Sequence, residues 1–173
     1  MHMLKFNHLR FTHLWIAIFA LTLAACGFQM RGMADLAFHT LYIKNNSLSI
    51  SKSLKKTLAV NGVTIVNNPE KAELMLELMD ESTQKKILSL SGGGLVREFE
   101  IYYRLNFRLR DPINELWGPM QTLEARRDYT YDDTQLLAKQ SEEGALYDDM
   151  RKDVVNELLR RLIVQKPKSA VSQ

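Results

Sequence analysis

The side chains with most capacity for chemistry in this sequence are arginines. Arg104, Arg108 and Arg110 fall at even spacing, so an extended chain carries all three on one face. Arg126 and Arg127 stand in the next segment, and Lys85 and Lys86 in the previous one. Guanidinium forks grip phosphates and carboxylates bidentately, so such a face suits phosphates or an acidic partner surface. With Glu98, Glu100 and Glu124 interleaved, it also suits a salt-bridged face turned to water. Other reactive types are sparse. Cys26 is the single cysteine, so neither an intrachain disulfide nor a Cys-based zinc site can form. Asp132-Asp133, Glu142-Glu143 and Asp148-Asp149 lie around an expected helix start, where acids serve as caps and dipole partners rather than as a general acid/base pair. Ser91-Gly92-Gly93-Gly94 has no G-K-[ST] after it and reads as a turn, and no G-x-S-x-G elbow occurs. The expectation is a protein that is not an enzyme, with no catalytic residue and no metal.

The chain has 173 residues and a net charge of +3, from 23 Lys plus Arg against 20 Asp plus Glu. That is one domain's worth of material, too apolar for disorder and without the basic excess of a nucleic-acid binder. Its first 25 residues read as an address. Lys5 and Arg10 precede the apolar run Leu14-Trp15-Ile16-Ala17-Ile18-Phe19-Ala20-Leu21-Thr22-Leu23-Ala24-Ala25. Twelve residues are too few to span a bilayer, which takes about 18 or more, and fit the core of a signal peptide. Small residues then lead straight into Cys26. That arrangement resembles the lipobox of bacterial lipoproteins, in which the cysteine becomes the new N-terminus and carries diacylglycerol and an amide-linked acyl chain. Two or more chains give stable anchoring where one does not. Gly27 stands where an Asp typically retains a lipoprotein at the inner membrane, which resembles the outer-membrane class. Cleavage removes Lys5 and Arg10, taking the charge from +3 to +1, and leaves His39 as the remaining histidine. The lipid on Cys26 is the one expected non-protein group, with no cofactor. An envelope lipoprotein meets no nucleic acid.

The elements that must position these groups follow from periodicity. Residues 26–35 read as a tether, 36–165 as one domain and 166–173 as a disordered tail. A first strand is expected over 36–44. Asn45 to Ser49 supply caps for a helix in which Ile50, Leu54 and Leu58 recur every four residues, closed by Asn61-Gly62. Leu74, Leu76 and Leu78 share a strand face, and the strand is expected to continue towards Leu88. Phe99, Ile101, Tyr103, Leu105, Phe107 and Leu109 alternate with polar residues for a dozen positions, the clearest strand in the chain. Leu123, Ala125, Arg127, Tyr129 and Tyr131 alternate in the next. A last helix carries Leu146, Met150, Val154, Leu158 and Leu162 at four-residue spacing and is stopped by Pro167. The predicted fold is α+β, two helices packed on one face of a mostly antiparallel four- to five-stranded sheet.

The expected mature start, Cys26-Gly27-Phe28-Gln29-Met30-Arg31-Gly32, resembles the Cys-Gly-aromatic-x-Leu/Met-Arg start of the LPS-assembly lipoprotein LptE family. Family-like stretches follow in order: Val60-Asn61-Gly62-Val63, Glu98-Phe99-Glu100-Ile101, Leu136-Leu137-Ala138-Lys139 and Leu158-Leu159-Arg160-Arg161-Leu162. The resemblance implies a lipid-anchored outer-membrane protein. It implies a plug in the lumen of the β-barrel LptD, as a heterodimer with it, that helps assemble the barrel and binds lipopolysaccharide during insertion into the outer leaflet. Lys139 matches a basic position of the family motif implicated in lipopolysaccharide contact. A second basic contact of the family lies near the turn entering the long strand; here that turn is Gly92-Gly93-Gly94 and the nearest basic residue is Arg97. The lipopolysaccharide-binding candidates are therefore Lys139, Arg97, Arg104 and Arg108. The alternative reading is a lipoprotein adaptor of another envelope machine, such as the barrel-assembly complex.

Overall fold

A computed structural model describes residues 36–114, 116–165 and 167. Cys26, the signal segment, the tether and residues 168–173 lie outside the described residues. Five strands and two helices follow one another: β1 (Thr40–Lys44), α1 (Ile50–Val60), β2 (Thr64–Val66), β3 (Leu74–Leu90), β4 (Val96–Arg110), β5 (Gln121–Thr130) and α2 (Leu136–Ile163). The sheet order is β2-β1-β3-β4-β5. β3, β4 and β5 form an antiparallel meander, while β1 runs parallel to both β2 and β3. The expected α+β fold holds, with the refinement that the sheet is mixed. Parallel neighbours need a crossover connection, and α1 supplies it between β1 and β2.

Periodicity works where one face is buried. In β4, Ile101, Tyr103, Leu105, Phe107 and Leu109 are buried and face the helices. Met150, Val154, Val155, Leu158 and Leu162 form the buried stripe of α2, and Ile50, Leu54 and Leu58 that of α1. All of them join one apolar cluster between sheet and helices. Gly62 closes α1 with φ +79°, a conformation that glycine adopts without a Cβ penalty.

Three details depart from the sequence reading. β1 starts at Thr40, not at residue 36; Leu36 and Phe38 are buried in the core as irregular chain, and His39 is exposed just ahead of the strand. The cap of α1 is tertiary. Ser49 makes no side-chain cap bond; its hydroxyl donates to Glu81 Oε1 on β3 (2.5 Å), and Glu81 Oε2 accepts from the Ile50 N–H (3.3 Å). A carboxylate from the sheet thus serves the first N–H of the helix.

The third departure is a bulge. β3 pairs with β4 as Leu78↔Phe107 and then Asp80↔Asn106, so Met79 is the extra residue. Before it, the even positions Leu74, Leu76 and Leu78 face the helices. After it, the odd positions do: Glu81 lies opposite Leu105, Thr83 opposite Tyr103 and Lys85 opposite Ile101. Lys86, opposite Glu100, is turned to the other face. The single basic face expected from Lys85, Lys86, Arg126 and Arg127 is therefore divided between both sides of the sheet. Arg127 lies opposite Ile101 on the helix side and bonds Asp149 and Asp153 of α2, whereas Arg126 pairs with Glu100 on the outer face.

Candidate functional site

The end of the molecule that gathers exposed apolar and basic groups is the tip of the β3–β4 hairpin together with the start of α2. The turn is closed by Ser91 N–H to Leu95 O (2.7 Å) and Gly94 N–H to Ser91 O (2.9 Å), with Gly94 at φ +80°. Around it Ile87, Leu88, Leu90 and Leu95 are 47–66% exposed. At the first turn of α2, Leu136 is exposed and Leu137 is 81% exposed. Tyr131 N–H donates to Arg97 O (2.7 Å), which ties the strand end before α2 to the first residues of β4. Half of the large exposed apolar side chains among the described residues lie here, so the tip is an apolar patch and not scattered surface.

Beneath the patch, α2 and the sheet enclose a cleft of about 440 Å³ lined by Lys85, Phe99, Tyr131, Leu136, Lys139 and Tyr147, among others. Its charged centre is Lys85. The ammonium bonds Glu143 Oε2 (2.5 Å) and lies 4.0 Å from the Phe99 ring centroid. Phe99 stacks on Tyr129 and meets Tyr131 edge-on at 5.1 Å. Tyr129 donates its hydroxyl to the same Glu143 oxygen (2.6 Å). Burial pushes the Glu143 carboxyl up, but Lys85 and Tyr129 outweigh it and hold the group below its ordinary value. Burial pulls the Lys85 ammonium down, but Glu143 and Tyr129 raise it on balance. Burial, helped by Glu143, pushes the Tyr129 hydroxyl up to about 12. At neutral pH, Lys85 and Glu143 are charged and Tyr129 keeps its proton, so the centre of the cleft is an ion pair braced by a tyrosine hydroxyl.

The structure brings together two of the four sequence candidates. Lys139, on the first turns of α2, has only 15% of its side chain exposed and bonds Glu142 (2.8 Å) and Thr130 (3.2 Å). Arg97 is exposed near the start of β4, with no side-chain bond among the described residues. Thr130 pairs with Glu98, so Lys139 stands one strand away from the Arg97 neighbourhood. Arg97 itself falls where the β3–β4 ladder is irregular, between the pairs Ser89↔Glu98 and Leu90↔Val96. Arg104 and Arg108 lie elsewhere. They stand on the outer face, where Arg104 bonds Glu124 and Arg108 bonds Glu77 while lying 5.2 Å from the Trp117 ring centroid. Arg108 and Lys44 hold the Glu77 carboxyl below the usual range. Eleven residues of strand, about 36 Å, separate Arg97 from Arg108. Lys85, which sequence reasoning placed with Lys86 on the general basic face, emerges as the centre of the cleft. Only the bulge reveals it.

The outer face is polar. Its rows are Glu77–Arg108, Asn106–Thr122 (2.7 Å), Arg104–Glu124 and Glu100–Arg126 (3.0 Å). Acid and base alternate across the strands, so the face is nearly neutral and its charges are paired in rows.

A family model described as lipopolysaccharide-assembly, LptE, matches residues 38–162. The chain is 26% identical to the LPS-assembly lipoprotein LptE of Photorhabdus laumondii, over 89% of this chain and 86% of that one. It is 24% identical to that of Yersinia enterocolitica, over 90% and 76%. Among solved structures, lipoprotein B from Nitrosomonas europaea superposes with a TM-score of 0.68 at 37% identity, covering 79% of this chain and 90% of that one. Rare lipoprotein B from Shewanella oneidensis gives 0.64 at 26%, covering 71% and 92%.

Proposed function

Because this chain belongs to the LptE lipopolysaccharide-assembly family, we propose that it is an outer-membrane lipoprotein held by lipid on Cys26 that serves lipopolysaccharide assembly without catalysis. It plugs the lumen of the LptD β-barrel one to one and binds lipopolysaccharide at the hairpin tip.

The observation that carries this reading is the tip, where six exposed aliphatic side chains meet Arg97, Lys139 and the Lys85 cleft. Lipid A presents acyl chains beside phosphates. An apolar patch with basic groups at its margin matches both, because acyl chains leave water and cations take the phosphates in charge-assisted bonds. The outer face supports the plug. A barrel lumen is polar, and a face of alternating acid and base rows offers it hydrogen bonds without an apolar penalty.

Charge reversal separates the two roles. Arg97→Glu with Lys139→Glu is expected to weaken binding to lipopolysaccharide micelles about tenfold or more, since each charge-assisted contact contributes about 1.5–3 kcal/mol. Arg104→Glu with Arg108→Glu is expected to leave micelle binding intact and to reduce co-purification with the barrel from detergent-solubilised membranes. Unchanged micelle affinity in the first pair would reduce the protein to a structural plug. Recovery with a different barrel would favour an adaptor of the barrel-assembly complex.

A further inference from the structure

The end of the sheet opposite the tip carries its own apolar feature. The loop joining β4 to β5, residues 111–120, exposes Ile113 (53%), Leu116 (83%) and Met120 (61%) within eight positions. The described residues on either side of position 115 are held by hydrogen bonds. Asp111 accepts from the Ile113 N–H (3.0 Å) through its side chain and from the Asn114 N–H (3.0 Å) through its carbonyl. Gly118 N–H returns to Leu109 O (2.9 Å), and a Cβ there would stand 3.1 Å from that same oxygen. The three apolar side chains are thus held outward by a pinned backbone. Trp117, half-buried between them, lies 5.2–5.7 Å from Lys44, Arg108 and Arg110.

Strand register places this loop beside the entry of the chain. Leu41 pairs with Leu74, Met75 with Arg110, and the Glu73 N–H donates to Thr40 O (3.1 Å), so β1 begins at the same sheet end at which β4 runs into the loop. The described chain starts at Leu36, ten residues after Cys26. Ten residues span about 35 Å at most. A lipid on Cys26 therefore keeps this sheet end within reach of one membrane surface and raises the local concentration of that surface against the loop. Aliphatic tips enter the acyl boundary, tryptophan sits at headgroup level, and cations lie among phosphates.

We propose that the 111–120 loop docks on the phospholipid leaflet that receives the Cys26 lipid, with Ile113, Leu116 and Met120 entering the interface. The proposal rests on lipidation of Cys26. The chain contains an intrinsic probe for it: of its two tryptophans, Trp15 leaves with the signal segment and Trp117 stays. The test uses the lipidated mature chain on phosphatidylethanolamine/phosphatidylglycerol vesicles, with plain or brominated acyl chains, and reads Trp117 emission and flotation together. The expected result is flotation with the vesicles and loss of Trp117 emission on brominated lipid. In the triple variant Ile113→Ser, Leu116→Ser, Met120→Ser, flotation persists and emission returns to its plain-lipid level. Flotation without quenching, or equal quenching in the triple variant, overturns the docking and leaves the anchor standing. Failure of the wild-type chain to float overturns the anchor and the docking together.

Discussion

The base and the tip of the β3–β4 hairpin present the same face of the same two strands to the helices, yet they are built on different physics. At the base, Leu76 and Leu78 pair with Leu109 and Phe107, and the layer beneath the helices is apolar. At the tip, that face carries Glu81, Thr83 and Lys85 opposite Leu105, Tyr103 and Ile101. Glu81 there accepts from Ser49, the Ile50 N–H and the Tyr103 hydroxyl (2.5 Å), and Arg151 stands 3.8 Å away. The base contributes burial, which is non-directional and scales with area. The tip contributes bonds that hold only while every partner is present. A protein that must stay folded while its far end meets a charged, apolar ligand gains from keeping the two apart.

Substitutions at both ends break or sharpen this contrast. The largest effect belongs to the base: Phe107→Ala, at a fully buried site, is expected to cost about 3–5 kcal/mol in urea unfolding. If it proves no costlier than a tip substitution, the contrast fails. Next comes Glu81→Ala, expected to cost about 1–3 kcal/mol because it strands the buried Tyr103 hydroxyl. Adding Tyr103→Phe should recover part of that loss, since removing both partners leaves nothing unpaired; no equivalent rescue exists for Phe107.

The helix side of the tip should also sense acid, as Glu77 does on the outer face. Burial pushes the Glu81 carboxyl up, but Ser49, Tyr103 and the Ile50 N–H prevail and hold it below its ordinary value. Glu143 is lowered in the same sense. A lowered folded value gives stability that is fully present above the ordinary carboxylate pKa, about 4.3, and is lost as pH falls through the folded value. Melting temperature measured downward from about pH 5 should therefore fall more steeply for the wild type than for Glu81→Gln. The smallest effect is on the outer face: Arg104→Ala, which removes a half-exposed pair with Glu124, should change stability by about 0.5 kcal/mol or less.

How much of this was legible depended on whether one burial pattern ran unbroken. β4 and α2 were, because each keeps a single buried face over many residues, at period two and period four. β3 was legible as a strand but not in its phase. Met79 shifts the register by one, and nothing in Leu78-Met79-Asp80 as a string distinguishes a bulge from continued alternation. Lys85 and Lys86 were read as one group for that reason. The tertiary cap was hidden for a different one, since Ser49 and Glu81 are 32 residues apart and the bond exists only once β3 lies under α1. Lys139 and Arg97 came from family resemblance. Strand pairing, not spacing, brings their neighbourhoods to one end, while Arg104 and Arg108 go to the opposite face.

The bulge at Met79 also sets the phase of the strand beyond it without touching the base. From Asp80 to Ile87 the facing depends on Met79 standing outside the ladder as an extra residue. Deleting Met79 would leave Leu78 opposite Phe107 and Asp80 opposite Asn106, so Glu81, Thr83 and Lys85 would still face the helices. Were Met79 instead paired in the ladder, Gln84 and Lys86 would face α2 in place of Lys85, while Leu74, Leu76 and Leu78 stayed where they are. One backbone irregularity thus chooses which side chains this stretch shows the helices and spares the apolar layer that keeps the molecule folded.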